Sequence, residues 1–131
     1  MSDAQQVKLW PTLTFIDADA MIRWLEAVGF VEHSVYRDDD DPAVVQHAEF
    51  LWPGGGGLMF GTHRPNREWT QEPGTGATYL ITDDPDEVYS RALAAGATSL
   101  HAPRDEDYGG RDAAVADPEG NLWSFGSYQP S

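Results

Sequence analysis

The order of apolar and polar positions along the chain changes period several times, and each change marks an element. Leu9-Trp10-Pro11-Thr12-Leu13-Thr14-Phe15-Ile16 is rich in β-branched and aromatic residues and predicts a strand. Asp17 and Asp19 then offer helix caps, and Met21, Ile22, Trp24, Leu25 and Val28 lay an apolar stripe at helical spacing. Gly29 ends that helix, 12 residues after Asp17.

The same message is then repeated. Ala77 to Thr82 is again strand-like, Asp84 caps a helix with Pro85 in its first turn, and Gly96 stops it 12 residues after Asp84. Val88, Ala92 and Ala95 mark its buried face. Cap and stop both recur at an offset of 67, while Pro53, Phe60 and Gly61 recur as Pro118, Phe125 and Gly126 at an offset of 65. Two more strands fit inside each copy, about Val31 to Tyr36 and Ala43 to Trp52, then Thr98 to Ala102 and Asp112 to Ala116. The expectation is an α+β fold of two βαβββ repeats, about 8–61 and 76–128, joined by a linker at about 62–75 within a single domain spanning 1–131. Each repeat has one helix for one face of its sheet, so the other faces are expected to curve around a cleft, the usual place for a small-molecule site. A homodimer is expected, with domain swapping left open.

Composition narrows the partners. Eight Lys and Arg against 22 Asp and Glu leave a net charge of −14, which repels a phosphate backbone and argues against nucleic acid. A cationic or neutral small molecule suits that field better. There is no Cys, so disulfides, thiol catalysis and Cys-ligated metals are excluded. Met1 to Lys8 is polar and no membrane-length apolar run follows, so the expectation is a cytoplasmic protein without a membrane partner.

The repeat, with Tyr108-Gly109-Gly110-Arg111 and Asp117-Pro118-Glu119-Gly120-Asn121-Leu122-Trp123-Ser124-Phe125-Gly126, resembles the vicinal oxygen chelate superfamily of glyoxalases, extradiol dioxygenases and bleomycin-resistance proteins. Residues 17–25 and His47-Ala48-Glu49 look like its small single-chain members. The resemblance implies metal ligands on the first and last strand of each repeat, at positions that here hold Trp10, Met59, Ala77 and Ser124. Indole and methyl groups cannot bind a hard or borderline dication, a thioether prefers soft ions, and a lone hydroxyl is a poor ligand. The implied member therefore has no metal or other cofactor and no catalytic residue. It lies nearer to the drug-binding resistance proteins than to the lyases.

The candidate ligand-binding residues are Trp10, Thr12, His47, Glu49, Met59, Tyr79, Tyr108 and Ser124. His47 and Glu49 alternate on one strand and so share a face. With Ala48 and Phe50 toward the helix, Val45, His47, Glu49 and Leu51 are expected on the cleft side. The pair could contact ligand, transfer a proton or hold a metal; equally, it is a hydrogen-bonded pair at a dimer seam or on a solvated edge strand. Trp10 and Tyr79 offer flat walls for rings and cations, or else fill the space a metal would take. Trp24 and Trp123 are expected in the core, and Trp69 over the cleft or at a subunit contact. Arg111 is expected to pair with Asp105, Asp107 or Asp117. Pro53 to Gly57 lacks the Lys-Ser/Thr and helix of a phosphate loop and reads as a hairpin turn.

These features lead to metal-independent binding of an aromatic, cationic, antibiotic-like molecule. The competitor is a divalent-metal lyase, isomerase or dioxygenase using His47, Glu49, His63 or His101. A third possibility is a silent partner-binding dimer whose cleft is filled by its own side chains.

Overall fold

The structure, a computed structural model, describes residues 7–65 and 68–130. The chain divides after Pro73 into two compact units. The first contains β1 (Thr12–Phe15), α1 (Ala18–Val28), β2 (Val31–Arg37), β3 (Val45–Leu51) and β4 (Gly57–Thr62). The second contains β5 (Ala77–Ile81), α2 (Pro85–Ala94), β6 (Thr98–Asp105), β7 (Arg111–Ala116) and β8 (Leu122–Gly126). Each forms a four-stranded mixed sheet, in the orders β1-β4-β3-β2 and β5-β8-β7-β6. The first and last strands of each unit run parallel, and the other pairs run antiparallel. Thr12 faces Met59 in one register and Tyr79 faces Ser124 in the other, so the offsets of 67 and 65 reappear as strand pairing.

Local chemistry explains the ends of the helices. Asp17 Oδ1 accepts from the Ala20 amide at 3.0 Å, and Asp84 Oδ1 from the Glu87 amide at 3.1 Å. Gly29 turns the chain out of α1 at φ 133°, a conformation that strains residues with a Cβ. The end of α2 departs from expectation. It finishes at Ala94 with Ala95 as its cap, one residue short of Gly96, so Ala95 lies past the helical face and is exposed rather than buried.

In the first unit Leu13, Phe15, Phe50, Leu58 and Phe60 make the core with Met21, Trp24, Leu25 and Val28 of α1. Phe60 sits between Phe15 and Phe50, at centroid distances of 4.9 and 5.4 Å. The second core is Leu80, Ala113, Val115, Trp123 and Phe125 with Val88 and Ala92 of α2. Each large buried side chain contributes roughly 1.5–3 kcal/mol. Trp24 and Trp123 are both core residues, each 1% exposed.

The equivalent hairpin corners are built differently. Between β7 and β8, the buried Asp117 carboxylate accepts from the Glu119 and Asn121 amides, Asn121 Nδ2 and Trp123 Nε1, all at 2.8–3.0 Å. Between β3 and β4 the matching position is Trp52, whose ring meets Phe30 at 5.0 Å. Gly54 to Gly56, all at positive φ, then complete a tight turn rather than a phosphate loop. No helix of the described residues is long and apolar enough to cross a membrane.

Candidate functional site

Alternation along the strands of the first sheet puts Thr12, Thr14, His47, Glu49, Met59 and Gly61 on the face opposite the core residues Leu13, Phe50, Leu58 and Phe60. Over that face lies a cavity of about 810 Å³, lined by Thr12, Thr14, His47, Met59, Gly61 and, beyond β4, by His63, Arg64, Glu68 and Trp69. The linker folds back here: Thr14 Oγ1 donates to Gln71 Oε1 at 3.4 Å. Thr62 Oγ1 accepts from the Val45 amide at 2.8 Å and fixes one rim. Arg64 is held by Asp38 at 3.3 Å. Asp38 also accepts from the Asp40 and Asp41 amides, which makes the acidic run a self-capped turn.

Three sequence candidates, Thr12, His47 and Met59, line this cavity together with Trp69. Trp10 stands beside it with its ring over Gly57, where a Cβ would come within 2.6 Å of the indole, and its Nε1 donates to the Val7 carbonyl at 3.2 Å. His47 Nε2 and Glu49 Oε2 are 2.8 Å apart, and His33 Nε2 of β2 lies 3.8 Å from the other Glu49 oxygen. The pair is hydrogen-bonded, but β3 is an interior strand, so it is not on a solvated edge. Val45 also departs from expectation. It borders the cavity but is only 1% exposed, beside a register shift between Tyr36 and Arg37 that inserts an extra residue in β3. His63, Trp69 and Glu68 reach the cavity through the fold of the linker, which no strand or helix period signals.

The remaining candidates belong to the second unit. Tyr79 lies along the open face of its sheet, and a Cβ on Gly126 would collide with its ring. The Tyr79 hydroxyl donates to the Tyr128 carbonyl at 2.6 Å, and burial followed by the charge of Asp112 pushes this phenol up. Tyr108 meets Tyr128 edge-on at 5.5 Å and donates to Asp112 Oδ2 at 3.2 Å. Ser124 is half-buried opposite Tyr79. Arg111 grips Asp86 through two bonds of 2.7 and 2.9 Å and reaches Asp105 at 3.3 Å; Asp105 was expected, whereas Asp86, on α2, was not. On the same sheet, Asp112 has its carboxyl pushed up by burial and then by Glu106, while Arg104 holds Glu106 low.

The model of the Glyoxalase/Bleomycin resistance protein/Dioxygenase superfamily matches residues 10–125. The chain belongs to that superfamily. Among solved structures, TioX from Micromonospora sp. ML1 superposes with a TM-score of 0.70 at 26% identity, over 94% of this chain and 99% of that one. A bleomycin-binding protein crystallised with bleomycin superposes at 0.61, also at 26% identity and with the same coverage. An uncharacterized protein of Mycobacterium bovis is 46% identical over 48 residues, which are 37% of this chain and 32% of that protein. The chain thus matches about a third of that relative's length.

The resemblance to metal-using members implies ligands at the positions held here by Trp10, Met59, Ala77 and Ser124. The donor set does not fit: an indole packed on glycine, a thioether, a methyl group and one hydroxyl. No step through a metal at these positions is derived.

Proposed function

We propose that this protein binds and sequesters an aromatic, cationic small molecule, as a resistance protein of the bleomycin-binding type does, without a metal at the superfamily's positions. The observation that carries this reading is the cavity on the first sheet. Its volume of about 810 Å³ lies within the range of drug-sized sites, roughly 300–1,000 Å³. Trp69 supplies an exposed aromatic face for stacking or cation–π contact. Met59 supplies an adaptable apolar floor, and Thr12, His47 and Glu68 supply polar groups that orient the ligand. Arg64 is already paired with Asp38, and the net charge of −14 draws cations toward the surface. The 26% identity to a bleomycin-binding protein over nearly the full length of both chains supports the same reading. The working form is a cytoplasmic homodimer, the second copy covering sheet surface that one chain leaves open.

The test is a tryptophan-fluorescence titration of chelator-treated protein with bleomycin and a panel of basic aromatic drugs. Quenching with micromolar or better affinity, weakening with salt, is expected for at least one of them. Flat titrations across the panel would refute the proposal.

A further inference from the structure

On the open face of the second sheet, three metal-ligating side chains converge. His101 of β6, Glu106 of the β6–β7 turn and Asp112 of β7 each present one ligand atom within 4.8 Å of the others. His101 Nδ1 lies 3.1 Å from the Ala102 carbonyl. A carbonyl can only accept, so Nδ1 donates in this contact and leaves Nε2 as the ring atom available to an ion. His101 Nε2 lies 3.9 Å from Asp112 Oδ1. Asp112 Oδ1 is itself fully buried and has no hydrogen-bond partner. A cation shared by the three side chains would serve this buried oxygen.

We propose that His101, Glu106 and Asp112 bind one first-row divalent metal ion, with zinc or manganese as the class of cation. This goes beyond the cavity on the first sheet and does not depend on it. One imidazole and two carboxylates suit Zn, Mn, Fe or Co better than calcium, which favours all-oxygen cages of six or more ligands. Ligand atoms on a common ion sit about 3.0–3.4 Å apart when each bond is about 2.0–2.2 Å, so closure from the observed spacing needs only small side-chain shifts. The supports are already in place. The Ala102 carbonyl sets the histidine tautomer, Tyr108 Oη donates to Asp112 Oδ2 at 3.2 Å, and Arg104 Nε holds Glu106 Oε2 at 2.9 Å. The arginine lowers affinity by placing a positive charge beside the ion. With three protein ligands, coordination positions remain for water or a bound molecule.

The experiment is calorimetric titration of the chelator-treated full chain with Zn(II) and, separately, Mn(II), repeated on Asp112→Asn and His101→Gln. One ion per chain at micromolar affinity is expected, weakened by at least about tenfold in each variant. Because zinc also binds exposed histidines, binding that persists undiminished in both variants would overturn the proposal. So would a wild-type chain that binds neither metal. Should a variant fail to fold, paramagnetic broadening by Mn(II) in the wild type decides: the His101 imidazole signals must broaden before those of His47 and His63. The drug titration in chelator fails or succeeds separately, since it contains no free metal.

Discussion

The two units share their topology and strand register, yet their open faces have opposite fates. In the second, Tyr79 lays its ring against Gly126 and ties its hydroxyl to the chain at Tyr128. In the first, the repeat-equivalent residues are Thr12 and Gly61. The atoms nearest a Cβ on Gly61 are backbone atoms of Val45 and Gln46, with no ring among them, and the space above belongs to the cavity. One large-for-small exchange at equivalent positions therefore separates a strand pair covered by a tyrosine ring from one that lies beneath the cavity. Duplication supplies the scaffold twice, and side-chain volume at these positions decides how much space is left over the first and last strands.

The corners give the sharpest way to break this comparison. Asp117→Ala removes the acceptor for four donors, three of them buried, and should cost about 3 kcal/mol or more in chemical denaturation. At the equivalent corner of the first unit, Trp52→Ala removes a half-buried ring from Phe30 and should cost roughly 1–2 kcal/mol. If Trp52→Ala proved the more damaging, the corner built on the carboxylate would not be the stiffer one.

Thr12→Tyr places the second unit's solution into the first. It should weaken drug binding by at least about tenfold, a loss of about 1.4 kcal/mol, while the unfolding midpoint stays near wild type. Unchanged affinity would mean that the ligand does not sit over Thr12. Tyr79→Phe removes only the bond to the Tyr128 carbonyl and should cost about 1 kcal/mol by the same denaturation assay.

The smallest effect concerns pH. The Arg111 guanidinium holds the Asp86 carboxyl below its ordinary value. Its stabilisation is therefore complete above the unfolded carboxylate range and is lost as pH falls through the lower, folded value. Arg111→Met should flatten that acid limb slightly in thermal melts between pH 5 and pH 2, about the span over which carboxylates titrate. A limb of unchanged steepness would show that the pair adds nothing.

What was legible in the sequence is what local rules govern. Asp17, Gly29 and Asp84 do their work within a few residues, so caps and elements could be read directly. The offsets of 67 and 65 carried the register. The superfamily itself was legible from the repeat and the Asp117 to Gly126 stretch. Three features were hidden because distant contacts decide them. The extra residue in β3 is set by its pairing with β2. Trp69 and Glu68 reach the cavity because the linker returns to the first sheet, as in the bond from Thr14 to Gln71. The chief partner of Arg111, Asp86, stands 25 positions away on a helix face. Trp10, Glu49, Tyr79 and Ser124 follow from repeat position or strand face, which places a residue on a strand but says nothing of whether the space beside it is already filled; Tyr108 follows from its place in the Gly109-Gly110 loop.

The most direct test of the open-versus-closed comparison is backbone amide shift mapping of chelator-treated protein titrated with a drug that quenches its tryptophans. Shifts concentrated at Thr12, Thr14, Gly61, Thr62 and Trp69, with Tyr79, Ser124 and Gly126 unmoved, are the predicted result. Shifts centred on Tyr79 and Gly126, with the first sheet silent, would contradict it.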